Sequence, residues 1–397
     1  MNEKQIPIHI LPIIVLSQFA GTSLWFAGNA VSLDLIRAYQ LPIEMVGYMT
    51  SSVQLGFISG TLLFAFLTIA DRFSPTKVFL VSALLGSFFN LLIVFSNGNL
   101  NFILLLRFLT GFFLAGIYPV GMKIASDWYR EGLGKALGFL VGALTLGTAL
   151  PHILKTFPLV NGWKEVFMAT SLFASLGGII LYSMVKNGPF RKKGIKLQTS
   201  NFLKGFKNKR FRGAAFGYFG HMWELYAFWT FLPILLKMLL MENDLESNIS
   251  FWSFLVIFAG TLGCIISGYL AKMKGSGYTA FLFLLISGIC CLLSPILIFL
   301  PTTLAIVFLL VWGFSVVADS PQFSTLVAKY AAPEYRGSAL TLVNSIGFAI
   351  TIPSIELLNY LFSEGKTSFM WLFLLPGPVI GLFFILRSKI INLELNG

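Results

Sequence analysis

The stretch "KNGPFRKKGIKLQTSNFLKGFKNKRFR" (residues 186–212) carries ten basic and no acidic residues, and it lies near the middle of a chain of 397 residues. The sequence on both sides of it is strongly apolar. The whole chain is 56% hydrophobic and only 11% charged. A soluble domain has about 25% charged residues, so this composition predicts a protein with many membrane spans. The basic stretch is then expected to link two membrane-embedded halves.

Six apolar segments precede this stretch and six follow it, each close to the 20 or so residues that a membrane-spanning helix needs. Their approximate bounds are 8–32, 45–70, 76–96, 101–123, 135–156, 164–186, 212–237, 249–271, 278–300, 303–328, 337–361 and 368–387. Spans must be helical, because lipid cannot satisfy an open sheet edge. We therefore predict an all-α membrane protein with a six-helix bundle at 1–186, a cytoplasmic linker at 187–211 and a second six-helix bundle at 212–397.

The net charge of +12 follows from the topology of the chain. With the N-terminus placed inside, 22 of the 28 Lys and Arg residues fall on the inner side, 5 fall on the outer side, and Arg107 is left within a span. This asymmetry obeys the positive-inside rule and predicts that both termini are cytoplasmic in a bacterial inner membrane. The expected neighbours of the basic residues are anionic membrane lipids, and nucleic acid is not an expected partner.

The two halves repeat each other at a nearly constant offset. Gly21 in "FAGTSLW" matches Gly220 in "YFGHMWE", "LTIADRFS" (67–74) matches "GYLAKMKG" (268–275), and "YPVGMKIASDWYREGLGKAL" (118–137) matches "SPQFSTLVAKYAAPEYRGSAL" (320–340), at offsets of 199 to 203. Three matches in order, at about half the chain length, predict two related and pseudo-symmetric bundles.

These residues resemble the major facilitator superfamily of secondary transporters over the whole chain. "LTIADRFSPTK" keeps Ala70, Asp71 and Arg72 of that family's G-x-L-a-D-R-x-G-R-K signature, and "RFLTGFFLAG" (107–116) is similar to its R-x-x-x-G motif. "GFLVGALTLG" (138–147) is similar to the antiporter motif, with Ala143 in place of proline. "GTSLWFAGNAV", "GHMWELYAFW" and "ADSPQF" resemble a bacterial subgroup labelled cyanate- or nitrate-type permeases.

Ionisable residues within spans are costly and usually face a solute pathway. Glu224 and His221 lie three residues apart near the middle of the seventh span, where apolar surroundings favour the protonated form of a carboxyl group. The pair predicts proton coupling or substrate contact, with His221 bonding to Glu224. The alternative is that both only tie helices together by hydrogen bonds. Asp319, in the tenth span beside Pro321, is a second candidate acid or a cap for a broken helical turn.

Arg107 is charged at every working pH. It predicts an anchor for an anionic substrate or a counter-ion for an acid, and the alternative is a fixed bond to a partner or to backbone carbonyls. Polar and aromatic residues on the first and seventh spans are further candidates for the substrate site, although such residues more often serve packing. They are Trp25, Asn29, Trp223 and Tyr226.

Asp71 and Arg72 lie at a turn between spans. In the resembled family, such residues bridge neighbouring helices across the two halves. The resemblance therefore implies a gating latch, with Asp71 facing the inner end of the eleventh helix, whose N-terminus favours an acid. The alternative is a solvated turn.

The function that these features favour is alternating-access transport of a small polar solute, anionic or zwitterionic, with coupling to protons and without a cofactor. Efflux of drugs or metabolites is the first alternative. A transporter-like sensor or a membrane-embedded enzyme is the second, but the three histidines lie on separate spans and the spacing of metal ligands is absent. No P-loop for ATP occurs, and the expected oligomeric state is a monomer.

Overall fold

A computed structural model describes residues 6–129, 133–157, 162–191, 205–240, 248–332 and 336–391. The described part of the chain contains eleven helices that are long and apolar enough to cross a membrane, and the shorter apolar helix Ile10–Thr22 precedes them. The predicted all-helical class with twelve spans is therefore confirmed. The chain divides into two compact units, Met1–Lys196 and Leu197–Gly397. Most of the predicted linker, residues 192–204, lies outside the described residues.

In the first unit the six spans are built from ten helices. In chain order they are Ile10–Thr22, Ala27–Ala30, Ser32–Tyr39, Met45–Phe66, Ile69–Arg72, Pro75–Leu92, Leu100–Leu114, Tyr118–Trp128, Leu133–Leu154 and Trp163–Met184. In the second unit they are Lys209–Leu240, Ile249–Lys274, Ser276–Leu293, Thr302–Ala318, Ser320–Tyr330, Arg336–Ser363 and Pro376–Arg387. We number the spans 1 to 12 in this order, so that span 4 is Leu100–Trp128, span 7 is Lys209–Leu240 and span 10 is Thr302–Tyr330.

Span 1 is not the single helix that its apolar run predicts. It breaks after Thr22, forms a short turn of helix at Ala27–Ala30, and resumes at Ser32–Tyr39. Two hydroxyl groups at this point donate hydrogen bonds to carbonyls of the preceding turn. Thr22 Oγ1 donates to the carbonyl of Gln18 at 2.8 Å, and Ser23 Oγ donates to the carbonyl of Ala20 at 2.7 Å. Such bonds compete with helical hydrogen bonding and help a helix to end or bend. An apolar run alone carries no sign of this break.

The same close helix contact occurs in each unit. In the first unit, Gly111 of span 4 lies directly against the backbone carbonyl of Val53 in span 2. In the second unit, Gly313 of span 10 lies directly against the carbonyl of Val256 in span 8. A side chain at either glycine would overlap the neighbouring backbone, so both contacts require glycine. The glycine of the R-x-x-x-G motif thus fixes the packing of two spans.

Candidate functional site

Span 7 carries two buried ionisable residues, and the structure gives them separate partners. Glu224 is 0% exposed and accepts hydrogen bonds from Trp312 Nε1 at 2.6 Å and from Ser287 Oγ at 3.0 Å. Trp312 lies on span 10 and Ser287 on span 9. Glu224 therefore ties three helices of the second unit together. The predicted bond between His221 and Glu224 is wrong, because the partner of His221 lies on span 10.

That partner is Asp319. Nδ1 of His221 lies 2.8 Å from Oδ1 of Asp319, and the two side chains are 1% and 0% exposed. The contact has the distance of an ion pair without the direction of a hydrogen bond. It is strongest when His221 is protonated and Asp319 is ionised. Nε2 of His221 and Oδ2 of Asp319 have no hydrogen-bond partner within the described ranges.

Asp319 lies where span 10 breaks. The helix Thr302–Ala318 ends just before it and Ser320–Tyr330 begins just after it, with Pro321 in the first turn of the second piece. The backbone carbonyl of Asp319 accepts from the N–H groups of Gln322 and Phe323, at 3.0 Å each. The side chain makes no capping hydrogen bond to the second piece and lies against His221.

Aromatic rings enclose the Glu224 contact. The indole of Trp312 stacks on Phe228 of span 7 with ring centroids 4.5 Å apart. Its edges face Phe308 and Trp371 at 6.0 and 6.4 Å. Rings at these distances exclude water from around a carboxyl group, and electrostatic interactions are stronger in such a place than in water. The proton state of Glu224 is therefore set by its few protein partners.

Arg107 occupies the core of the first unit and is 1% exposed. One terminal nitrogen donates to the carbonyl of Leu24 at 3.0 Å and to Asn90 Oδ1 at 3.1 Å, while the other donates to the carbonyl of Trp25 at 2.5 Å. Both carbonyls lie at the break in span 1. The guanidinium thus holds the broken turn against spans 3 and 4, which is the backbone-carbonyl alternative weighed for this residue. Its contact with a substrate stays a prediction.

Asn90 extends this network through the first unit. Its amide nitrogen donates to Thr170 Oγ1 at 3.1 Å and to Ser171 Oγ at 3.0 Å, both on span 6.

The hydrogen bonds of Arg107 in the first unit and those of Glu224 in the second lie at equivalent places of the internal repeat. Each joins the first, third and fourth spans of its unit, and the 199-residue offset that pairs Gly21 with Gly220 also pairs Trp25 with Glu224. The repeat thus placed a carboxyl group in one unit where the other has an indole.

The remaining predicted substrate residues are dispersed over the two units. In the first unit, Trp25 packs against Phe57 with ring centroids 4.6 Å apart, and Asn29 is 3% exposed. In the second unit, Trp223 is half-buried and its Nε1 donates to the carbonyl of Phe373 at 2.9 Å. Tyr226 is 2% exposed. Two of these residues therefore lie in each unit, and the contact of all four with a solute stays a prediction.

The predicted gating residues have described partners in their own unit. Asp71 Oδ1 lies 2.9 Å from Nζ of Lys123 on span 4. The carbonyls of Asp71 and Phe73 accept from Arg191, and Arg72 is exposed. Lys123 on span 4 thus reaches the turn that carries Asp71, and the predicted pairing of Asp71 with the eleventh helix stays a prediction. A gating role for Asp71 and Arg72 stays a prediction.

Several residues of these networks were missed from the sequence. Asn90 is an amide within a mostly apolar span and could have been found by the same rule that singled out Arg107. Trp312 and Ser287 carry no such signal, because tryptophan and serine are common in membrane helices. Within the described residues, no group of three or more His, Cys, Asp or Glu side chains could hold a metal ion, and Cys264, Cys290 and Cys291 form no disulfide.

The sequence of this chain is similar to a known family and to named transporters. Residues 13–354 match the family model described as Major Facilitator Superfamily. The chain is 24% identical over 389 residues to a probable sulfoacetate transporter of Cupriavidus necator, covering 89% of this chain and 86% of the relative. It is 25% identical over 214 residues to a probable L-galactonate transporter of Escherichia coli, covering 49% of this chain and 47% of that relative.

A solved structure shares the fold. It is the crystal structure of a bacterial homolog of the human lysosomal transporter Spinster, in an inward-facing and unoccupied conformation. The TM-score is 0.65, with 14% sequence identity, 97% of this chain covered and 98% of the solved chain covered. At this identity the likeness shows the architecture alone.

Proposed function

This chain belongs to the Major Facilitator Superfamily, so it is a multi-pass membrane transporter rather than an enzyme, and on that premise we propose that it moves a small organic anion or zwitterion with coupling to protons. We place it in the bacterial cytoplasmic membrane with both termini in the cytoplasm, because that orientation satisfies the positive-inside rule. The observation that carries the proposal is a set of three buried protonatable side chains in one unit: His221, Glu224 and Asp319.

The anionic character of the solute is supported by two relatives. One is named for sulfoacetate and the other for L-galactonate, and both names describe small organic anions. The first alignment covers most of both chains, whereas the second covers about half of each. The buried Arg107 adds a positive charge to the core of the first unit, which favours an anion nearby.

The hydrogen bonds around Glu224 favour one of its two oxygens as the carrier of its proton. An indole N–H can only donate, so Oε1 of Glu224 must accept from Trp312 in both protonation states. The proton of a neutral Glu224 therefore sits on Oε2, which faces Ser287. A hydroxyl group can both donate and accept. Ser287 can thus donate to a charged Glu224, or accept from a neutral one while it donates to the carbonyl of Leu284, which lies 3.2 Å away.

The second protonatable site is His221 with Asp319, and its contact also depends on whether a proton is bound. The two residues attract each other when His221 is charged and Asp319 is ionised, and the attraction is lost when Asp319 takes up a proton. Both Asp319 and Trp312 lie on span 10, and both of their partners lie on span 7. Proton loading at Asp319 removes its attraction to His221, and proton loading at Glu224 keeps the bond from Trp312 but makes it a weaker, uncharged one, so either event loosens span 7 from span 10, which is what coupling requires.

The test is proton release from the purified protein in detergent when small anions, amino acids or cationic drugs are added. We expect release with one class of small anion, and we expect it to be absent in Glu224→Gln and reduced in Ser287→Ala. The matched control is Glu356→Gln, since Glu356 is only half-buried. Equal release from wild type and Glu224→Gln would remove Glu224 from the coupling step. A response to cationic drugs alone would replace the anion by the efflux alternative.

A further inference from the structure

Two glutamine side chains in the first unit are buried without a hydrogen-bond partner. Gln18 on span 1 and Gln54 on span 2 are each 0% exposed, and neither the oxygen nor the nitrogen of either amide has a partner among the described residues. A third buried glutamine, Gln322 in the second unit, does have one, because its nitrogen donates to Ser267 Oγ at 3.4 Å. Buried amides left unpaired are costly, so native proteins rarely keep them without a reason.

The two amides lie on two of the three spans that carry a group of aromatic rings. The ring of Trp25 lies 4.6 Å from that of Phe57 and 6.5 Å from that of Tyr118. Gln54 lies one helical turn before Phe57 and on the same face of span 2. The amide oxygen of Gln18 lies directly against the backbone of Gly121, one turn after Tyr118 on span 4. We call Gln18, Trp25, Gln54, Phe57 and Tyr118 the amide–aromatic cluster.

A positive charge lies next to this cluster without a negative partner. Arg107 makes its three hydrogen bonds to neutral oxygens, and no carboxylate of the described residues lies within ion-pair distance of it. One of those oxygens is the carbonyl of Trp25, whose ring begins the cluster. In a buried place of low dielectric, an unbalanced charge attracts an opposite one over several ångströms.

We propose that the amide–aromatic cluster binds the charged oxygen group of the transported solute, a carboxylate or a sulfonate. The amide N–H groups of Gln54 and Gln18 donate to its oxygens, and the ring of Trp25 packs against its carbon atoms. Arg107 acts through its electrostatic field, because the carbonyls at the break in span 1 occupy its terminal nitrogens. This inference rests on the proposed transport function and assigns the groups that recognise the anion.

The first test uses stability without any solute. Gln54→Leu replaces an unpaired amide by an apolar side chain of similar size, so we expect an unchanged or raised melting temperature in detergent. Gln322→Leu is the matched control, and it removes a partnered amide, so we expect a lowered melting temperature. A drop for Gln54→Leu as large as that for Gln322→Leu would show that Gln54 has a structural partner and would overturn the inference.

The second test measures binding of sulfoacetate and L-galactonate, used as probes, by the melting temperature of the full-length protein at increasing probe concentration. A hydrogen bond to a charged ligand changes affinity by about ten- to hundredfold, so we expect Gln54→Leu to weaken the response by that factor. Gln322→Leu is expected to keep the wild-type response. An unchanged response in Gln54→Leu would overturn this inference alone, whereas no response in wild type to either anion would overturn the proposed function and this inference with it.

The third test asks whether the site is reached from water. In a variant with the three cysteines replaced, Gln54→Cys is treated with the anionic reagent 2-sulfonatoethyl methanethiosulfonate, whose sulfur forms a disulfide with the thiolate while methanesulfinate leaves. We expect labelling of Cys at position 54 and none of Val53→Cys, which is equally buried on the face toward span 4. Equal labelling, or none at position 54, would overturn the inference.

Discussion

Arg107→Lys keeps the positive charge in the core of the first unit and replaces the planar guanidinium by a single ammonium nitrogen. The lysine Nζ would stand near the present Cζ of Arg107, so each acceptor becomes more distant by up to one C–N bond, roughly 1.3 Å. The present bonds to the carbonyls of Leu24 and Trp25 and to Asn90 are 3.0, 2.5 and 3.1 Å long. A small shift of the lysine can restore one of them, and the other two are lost.

Hydrogen bonds that involve a charged group contribute about 1.5–3 kcal/mol each, so the loss of two predicts about 3–6 kcal/mol of destabilisation. The assay is equilibrium unfolding of the purified protein in mixed micelles by titration with sodium dodecyl sulfate, followed by circular dichroism. Arg37→Lys is the matched control, because Arg37 is exposed, and we expect it to stay within about 0.5 kcal/mol of wild type. A change of less than about 1 kcal/mol in Arg107→Lys would refute the account of Arg107 as the group that holds the break in span 1.

Two further substitutions test the packing and the ion pairs of the first unit. Gly111→Ala places a Cβ on the backbone carbonyl of Val53, so we expect spans 2 and 4 to separate and the yield of folded protein, measured by size-exclusion chromatography, to fall several-fold; a normal yield would contradict the contact. Lys123→Met removes the shared partner of Asp71 and Asp127, at 2.9 and 3.6 Å. Because Lys123 and Asp71 are only partly buried, we expect a loss of about 1 kcal/mol in the same unfolding assay, reduced at high salt, and a salt-independent loss would contradict the ion pairs.

The all-helical class and the number of spans could be predicted from the sequence, because hydropathy reports the burial of whole helices in lipid. The break in span 1 could not. It depends on Thr22 and Ser23 turning back on the helix and on Arg107, 82 residues from Trp25, supplying donors to its carbonyl. Hydropathy does not register the hydrogen bonds of single residues, so an interrupted apolar run looks continuous.

The residues of the candidate site could be selected from the sequence, but their contacts could not. The choice of Glu224, His221 and Asp319 as candidates followed from the cost of charge in a membrane, which is a property of each residue alone. Their pairing was not predictable in the same way. His221 and Glu224 are neighbours on one helical face, yet they do not bond to each other. His221 contacts Asp319 and Glu224 contacts Trp312, and these two partners lie two helical turns apart on span 10. Sequence spacing shows which residues share a helix and not which helix they face.

The measurement that tests proton coupling most directly is the internal pH of proteoliposomes that carry the protein and a trapped pH indicator, read while sulfoacetate or L-galactonate is added outside. We predict that wild-type vesicles move protons together with one of these anions, and that Glu224→Gln and Asp319→Asn vesicles do not, whereas Glu356→Gln vesicles behave as wild type. Accumulation of the anion with no change of internal pH, in wild type and variants alike, would contradict the assignment of the buried carboxyl groups of the second unit to proton coupling.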